Sequence, residues 1–154
     1  MLTWVDLLAL FSLALGIAWG LRAGLLGAFV GVGVLLYLLL AQLGFSGWPW
    51  ALGIGLGVGF LGKSLPLPTP SRGLEAFLGG LGGGLLGLFL ALILWTGYPW
   101  ERVGAGTLRY PSLYLPTPVY EGVAQSPFAR EAFRIAWNTP WLRKALRLEG
   151  EHPK

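Results

Sequence analysis

The amino-acid sequence predicts an all-α membrane protein, with about four transmembrane helices in residues 1–96 and a polar tail in residues 97–154. Charged residues make up only 12% of the chain, against about 25% in soluble domains, and the mean hydropathy is +0.65. The long stretch between Leu7 and Trp100 carries four charges, on Arg22, Lys63, Arg72 and Glu75. An exposed apolar surface of that size would aggregate in water, so lipid is its expected solvent.

The first two predicted spans flank a short basic turn. They cover about residues 3–21 and 25–43, and each approaches the roughly twenty apolar residues that cross the hydrocarbon core. The turn contains a single cation, Arg22, between two glycines, Gly20 and Gly24. An arginine at the bilayer centre would cost about 2.5–3.5 kcal/mol, so we expect Arg22 at the interface.

The third predicted span is short and the fourth is long. Residues 50–62 give only about 20 Å of helix, so the third span crosses only if residues 47–64 take part; a re-entrant or broken helix is the alternative. Pro66, Pro68 and Pro70 predict an extended linker, because proline disfavours helix in the residue before it. The fourth span covers about residues 73–95, with Ser71 as its N-cap.

Glycine rows run through the predicted spans. Pairs at four-residue spacing are Gly27/Gly31, Gly53/Gly57, Gly55/Gly59, Gly79/Gly83, Gly80/Gly84 and Gly83/Gly87. Four residues is just over one helical turn, so each pair clears one helix face and lets another backbone approach closely. Two interpretations stay open: a tightly packed, self-associating bundle, or ordinary packing within one copy.

Asp6 and Arg22 are the ionisable residues near the membrane that invite a functional interpretation. A buried acid such as Asp6 can relay protons or bind a cation. An aspartate in the first turn also suits a helix N-terminus, and we favour that structural role because the other spans provide no relay of further acids. Together with the glycine rows, the candidate residues are Asp6, Gly20, Arg22, Gly24, Gly53, Gly57, Gly79 and Gly83.

Several classes of function are not expected. The chain has no cysteine and a single histidine, His152, near its end, so no thiolate site is available and we expect neither a metal nor a cofactor. The eleven basic residues are spread out and are better explained as membrane flanks than as a nucleic-acid surface. No triad, paired-carboxylate cleft or phosphate-binding loop is present, which predicts a non-enzymatic protein with no identifiable small-molecule substrate.

The tail begins with a linker rich in proline, glycine and tyrosine, and two short amphipathic helices are predicted to follow it. Ser126 precedes Pro127 and Thr139 precedes Pro140, and a capping residue followed by proline is a helix-start signal. Such helices lie in an interface or pack against a bundle or a partner. The first is expected to place on one face Phe128, Ala132, Ile135 and Ala136.

The basic loops predict the orientation of the bundle. Arg22 lies between spans one and two, and Lys63 and Arg72 lie between spans three and four, whereas residues 44–50 carry no charge. The positive-inside rule places the two basic loops in the cytoplasm and both termini outside. The basic excess of the tail argues for the reverse.

The N-terminal motifs resemble a known family. The element Trp4-Val5-Asp6, an apolar run and then residues 20–25, Gly-Leu-Arg-Ala-Gly-Leu, resemble the opening of the colicin V production protein (CvpA) family, and residues 74–86 look like its last span. The likeness covers about residues 3–96, although the glycine density and the Pro-rich third loop depart from the family. It implies a small multi-pass protein of the bacterial inner membrane, linked to colicin V production or export and to envelope homeostasis, and brings no catalytic residues.

The sequence thus favours a non-enzymatic scaffold or accessory factor in toxin or solute export or in envelope homeostasis. Its expected partners are the lipid bilayer and either further copies of itself or another membrane protein. Two alternatives share the same signature: a small self-associating channel or transporter, and a minor subunit of a larger membrane complex.

Overall fold

The computed structural model describes residues 1–66, 71–104 and 106–148, apart from the side chain of Lys63. Pro68 and Pro70 of the predicted linker, and His152, lie outside these residues. The chain is mostly helical, and its elements in order are α1 (Trp4–Ala23), α2 (Leu25–Gln42), α3 (Trp48–Ser64), α4 (Arg72–Thr96), β1 (Glu101–Val103), β2 (Thr107–Arg109), α5 (Thr117–Ala124), α6 (Pro127–Asn138) and α7 (Pro140–Ala145).

Three helices are long and apolar enough to cross a membrane: α1, α2 and α4, of 20, 18 and 25 residues. They coincide with predicted spans one, two and four to within two residues, so a mostly helical protein with three helices able to span a membrane is confirmed. The shorter apolar helix α3 has 17 residues, or about 25 Å. It begins at Trp48 with Pro49 in its first turn, a position where the missing proline N–H costs nothing.

Helix α4 packs against both α1 and α2, and glycines make both contacts. A Cβ atom added to Gly83 would lie 2.7 Å from the Cα of Gly20, and one added to Gly20 would lie 2.9 Å from the carbonyl carbon of Gly79. On the other side of α4, a Cβ on Gly82 would lie 2.8 Å from the Cα of Ala28. No side chain fits at these separations, so the backbones themselves are in contact.

Gly24 alone forms the turn between α1 and α2. Its φ of 57° lies in the left-handed region, and its N–H donates to the carbonyl oxygen of Gly20. Its Cα also faces α4, because an added Cβ would lie 3.3 Å from the side chain of Glu75. A side chain at this position would therefore be strained and crowded, which explains a glycine here.

Helix α3 packs against α2 and leaves its glycines open, except Gly62 beside Phe29. A Cβ on Gly33 of α2 would lie 3.3 Å from Val58 of α3. By contrast, a Cβ added to Gly53 or Gly57 would meet nothing within 4 Å. The glycine row of α3 is therefore uncovered in one copy of the chain, unlike that of α4.

The tail folds over the end of the bundle where α1 begins and α4 ends. Helix α6 packs against α1 and α4, and α7 packs against α2. The antiparallel hairpin β1–β2 and helix α5 were not predicted, so the tail holds more structure than two amphipathic helices.

The buried face of α6 differs from the predicted one. Ala132 and Ala136 are buried as expected, but Phe128 and Ile135 are 44% and 55% exposed. Phe133 is buried in their place because its ring stacks on Tyr110 from the segment after the hairpin, 3.9 Å away between centroids. The aromatic partner decides which side of α6 is covered.

Adding one methyl group at Gly83 should destabilise the bundle, whereas the same change on α3 should not. We expect Gly83→Ala to lower the free energy of unfolding by about 1–3 kcal/mol, the usual cost of overpacking. Gly57→Ala, made in open space, should leave it unchanged or raise it, because alanine favours helix over glycine. Equilibrium unfolding in mixed detergent micelles measures both. Equal effects of the two changes would contradict the backbone contact.

Candidate functional site

The carboxylate of Asp6 is the centre of a buried polar cluster at the tail end of the bundle. It is 0% exposed, one turn into α1. Its Oδ2 accepts from the backbone N–H of Thr3 at 2.9 Å and from the Thr3 hydroxyl at 3.1 Å. Its Oδ1 accepts from the indole Nε1 of Trp95 at 3.2 Å and from the hydroxyl of Ser126. We call Asp6, Thr3, Trp95 and Ser126 the Asp6 cluster.

Each member of the cluster is placed by the end of a helix. Thr3 is the N-cap of α1, so the Asp6 carboxylate turns back onto the first turn of its own helix. Trp95 lies in the last turn of α4. Ser126 is the N-cap of α6, and its hydroxyl oxygen accepts from the N–H of Ala129 at 2.8 Å. One carboxylate therefore joins three helix ends.

The donors around Asp6 match what a carboxylate accepts. Two oxygens offer about four lone-pair positions, and four donors reach them. In the described part of the chain, every buried side-chain nitrogen and oxygen has a hydrogen-bond partner. Among those residues no group of three or more His, Cys, Asp and Glu side chains is placed to hold a metal ion. The geometry favours a structural role for Asp6, in which its carboxylate links helix ends, over a role as a proton relay or a cation site.

Aromatic side chains enclose the cluster. The indole of Trp95 stacks on Phe128 with 5.6 Å between ring centroids. The hydroxyl of Tyr110 donates to the carbonyl oxygen of Trp95, and burial raises the pKa of that hydroxyl above its usual value of 10.0. Tyr110 also stacks on Phe133. The last turn of α4 is thereby held from two directions by the tail.

Two further contacts fasten the tail to the bundle. The indole Nε1 of Trp4 donates to the carbonyl oxygen of Pro118 at 3.3 Å, and this ring lies so close to Gly122 that a Cβ there would meet it at 2.7 Å. On the α2 side, the buried hydroxyl of Tyr37 donates to the carbonyl oxygen of Ala145 at 3.3 Å. The tail is thus bound to both α1 and α2.

The remaining candidate residues do not join the Asp6 cluster. Arg22 is exposed in the last turn of α1, about 24 Å along the helix from Asp6 at 1.5 Å per residue. Gly20 and Gly24 lie near Arg22 and contact α4, with Gly20 against Gly79 and Gly83. Gly53 and Gly57 face open space on α3. The structure therefore separates the candidates into the Asp6 cluster, a glycine contact and an uncovered helix face.

Sequence reasoning missed the partners of Asp6. Trp95 and Ser126 lie 89 and 120 residues further along the chain, and no local pattern links positions so far apart. The Ser-Pro start of α6 identified Ser126 as a cap, and the structure shows that cap hydrogen bond. Thr139 precedes Pro140 in the same way, but its side chain forms no cap hydrogen bond. The two similar signals therefore differ in strength.

Removing the hydroxyl of Ser126 should loosen the tail, whereas removing that of Thr139 should not. We expect Ser126→Ala to lower the free energy of unfolding by about 1–2 kcal/mol, as for other lost caps, and to speed amide hydrogen exchange in residues 127–138. Thr139→Ala, at the matched Thr-Pro start, should change it by less than about 0.5 kcal/mol. If both substitutions lowered the free energy of unfolding equally, the hydrogen bond between Ser126 and Asp6 would contribute nothing to stability.

A double-mutant cycle should show that Asp6 and Ser126 act together. We expect Asp6→Asn and Ser126→Ala to be non-additive by about 0.5–3 kcal/mol, the range for residues that share a hydrogen-bond network. The same cycle with Asp6→Asn and Thr139→Ala is the control and should be additive. Additivity in both cycles would contradict the cluster.

Stability should fall at alkaline pH through Tyr110. Because burial raises its pKa in the folded state, the stability that the neutral hydroxyl contributes is fully present below pH 10 and is lost as the pH rises through the folded-state pKa. The slope for one proton is at most about 1.4 kcal/mol per pH unit. Unfolding between pH 8 and 11 should show a flatter decline for Tyr110→Phe than for the unaltered protein. Tyr114→Phe, a change at a side chain that is 91% exposed, should leave the decline as it is.

Comparison with known proteins finds no match for this chain. No protein-family model, no curated protein and no solved structure matches it. The resemblance to the colicin V production protein family therefore stays a prediction from the motifs in residues 3–96.

Proposed function

We propose that this chain is a non-enzymatic, four-span protein of the bacterial inner membrane, similar to the colicin V production protein family. In this proposal it acts as a scaffold or accessory factor in toxin or solute export or in envelope homeostasis. The observation that carries the proposal is the uncovered face of α3. A Cβ atom added to Gly53 or Gly57 on this face would meet nothing within 4 Å, and the flanking Leu56 and Phe60 are 74% and 73% exposed.

The direction of the helices supports a fourth span. Trp95 near the end of α4 reaches Asp6 near the start of α1, and Gly79 near the start of α4 reaches Gly24. Helix α2 returns from Gly24 to the end of the bundle that the tail covers, whereas α4 starts at the opposite end. Helix α3 lies antiparallel to α2, because Gly62 near its end is beside Phe29 near the start of α2. This arrangement supports a crossing by α3.

The packing of α4 supports a scaffold more than a pore within one copy. Gly79, Gly82, Gly83 and Gly87 are buried against α1 and α2, so they are unavailable to line a channel. The row on α3 is open, and small residues on a helix face let a second helix approach closely in lipid. A partner membrane protein that packs on α3 fits this arrangement, because the glycine face of α4 is covered and that of α3 is open.

Recovery of the protein from native membranes in mild detergent, followed by mass spectrometry, tests the proposal. We expect a defined export or envelope protein to co-purify, and Gly57→Leu, which fills the open face, to abolish that association while the fold is retained. Gly73→Leu, another exposed glycine in open space, is the matched control and should keep the partner.

A homo-oligomer without other subunits would contradict the minor-subunit alternative and would place a further copy of this chain, instead of another protein, on α3. Solute flux through liposomes that contain only this homo-oligomer would instead support the channel alternative. A tight seal in the same liposomes would exclude a pore.

Single cysteines test the proposed orientation, because the chain has none of its own. With both termini outside, Tyr114→Cys in the tail should react with an impermeant maleimide in intact cells. Gly73→Cys, at the opposite end of the bundle, should react only after lysis. The reverse pattern would place the tail in the cytoplasm, as the basic excess of the tail argues.

A further inference from the structure

Helix α7 is held at the level where the last turn of α2 leaves the hydrocarbon. The hydroxyl of Tyr37 donates to the carbonyl oxygen of Ala145 and accepts from the N–H of Gly47 at 3.2 Å. Tyr37 lies five residues before the end of α2 at Gln42, or about 7.5 Å along the helix. The end of α7 therefore lies beside the membrane interface, over the turn between α2 and α3.

Basic side chains concentrate at this level. Lys144 and Arg147 are exposed, and the guanidinium of Arg143 lies 5.7 Å from the ring centroid of Trp137. A Cβ on Gly47 would lie 3.6 Å from a guanidinium nitrogen of Arg147. Residues 132–148 and 23–74 contain no Asp or Glu; the next acid, Glu149, lies outside the described residues. We call Arg143, Lys144 and Arg147 the cationic patch.

Two exposed tryptophans belong to the elements that meet at the cationic patch. Trp48 at the start of α3 is 72% exposed, and Trp141 in α7 is 39% exposed. Indole rings prefer the headgroup level of a bilayer. Cations beside such rings match the chemistry of a phospholipid headgroup, with a phosphate above and an apolar glycerol region below.

The backbone of Arg147 gives an independent reason to look for a role of its side chain. Arg147 has a φ of 55°, a conformation that glycine adopts at little cost and other residues rarely do. It follows α7 in a Schellman motif. The N–H of Leu148 donates to the carbonyl oxygen of Arg143 at 2.9 Å, and the N–H of Arg147 donates to the carbonyl oxygen of Lys144 at 3.1 Å. Glycine is the usual residue here, and this chain uses 25 glycines elsewhere. Residues held in such conformations concentrate at functional sites.

We propose that the cationic patch and the turn between α2 and α3 bind the phosphate of an anionic phospholipid. Lys144 and Arg147 provide the charge, and Trp48 and Trp141 contact the glycerol region below it. This site is separate from the uncovered face of α3, so it does not depend on the proposed scaffold role. Its occupant is a lipid of the surrounding bilayer, which the patch would draw to one edge of the bundle.

Native mass spectrometry of the full-length protein in detergent tests this site, with phosphatidylglycerol and phosphatidylcholine of identical acyl chains as probes. We expect the protein to retain phosphatidylglycerol in preference to phosphatidylcholine. Each cation beside an anionic lipid contributes about five-fold in affinity, so Lys144→Gln should reduce that preference about five-fold. Arg130→Gln, at an exposed cation on α6, should leave it unchanged.

Arg147→Gly separates lipid binding from a purely structural role. The change relieves the backbone conformation, so the melting temperature should hold or rise, while the preference for phosphatidylglycerol should fall about five-fold. Equal retention of the two lipids by the unaltered protein would overturn the proposal, as would an unchanged preference in both Lys144→Gln and Arg147→Gly. Displacement of phosphatidylglycerol by millimolar inorganic phosphate would point to a soluble anion instead, and would also overturn it.

Discussion

The contact between the glycine-lined face of α4 and the backbones of α1 and α2 is the constraint on which the other features depend. Apolar side chains gain little by leaving lipid, so helices in a membrane associate through close packing and hydrogen bonds. With Gly83 against Gly20 and Gly82 against Ala28, α4 sits between its two neighbours. That position brings the last turn of α4 beside the first turn of α1. The Asp6 cluster forms where these two turns meet.

Asp6 links three helix ends that meet where the tail covers the bundle. These are the starts of α1 and α6 and the end of α4. A buried acid would be costly there unless hydrogen-bonded, and four donors from Thr3, Trp95 and Ser126 meet that need. The same bonds fix the tail on one end of the bundle, where α7 packs against α2.

The sequence predicts the features that depend on residues close together in the chain, and it does not predict those that depend on residues far apart. Apolar runs and turn residues are local, so α1, α2 and α4 were located to within two residues. The four-residue glycine spacing is also local, but it shows only that a face is clear, and Gly57 and Gly83 look alike until their neighbours are known. The covered face of α6 was misjudged because it is set by Tyr110, which a hairpin brings onto Phe133. Thr3 is a local partner of Asp6, but Trp95 and Ser126 lie further away still, and one sequence contains no signal that pairs them with it.

The distance along the chain between Asp6 and its partners has a consequence for biosynthesis. Asp6 emerges from the ribosome 120 residues before Ser126. During that interval α1 enters the membrane with a carboxylate that has only Thr3 beside it. The headgroup region has to solvate the acid until α4 and then the tail arrive, which keeps the start of α1 near the surface. Ser126 is thus the last partner to reach Asp6, and a chain cut before it would leave the Asp6 carboxylate without its hydrogen bond from the tail.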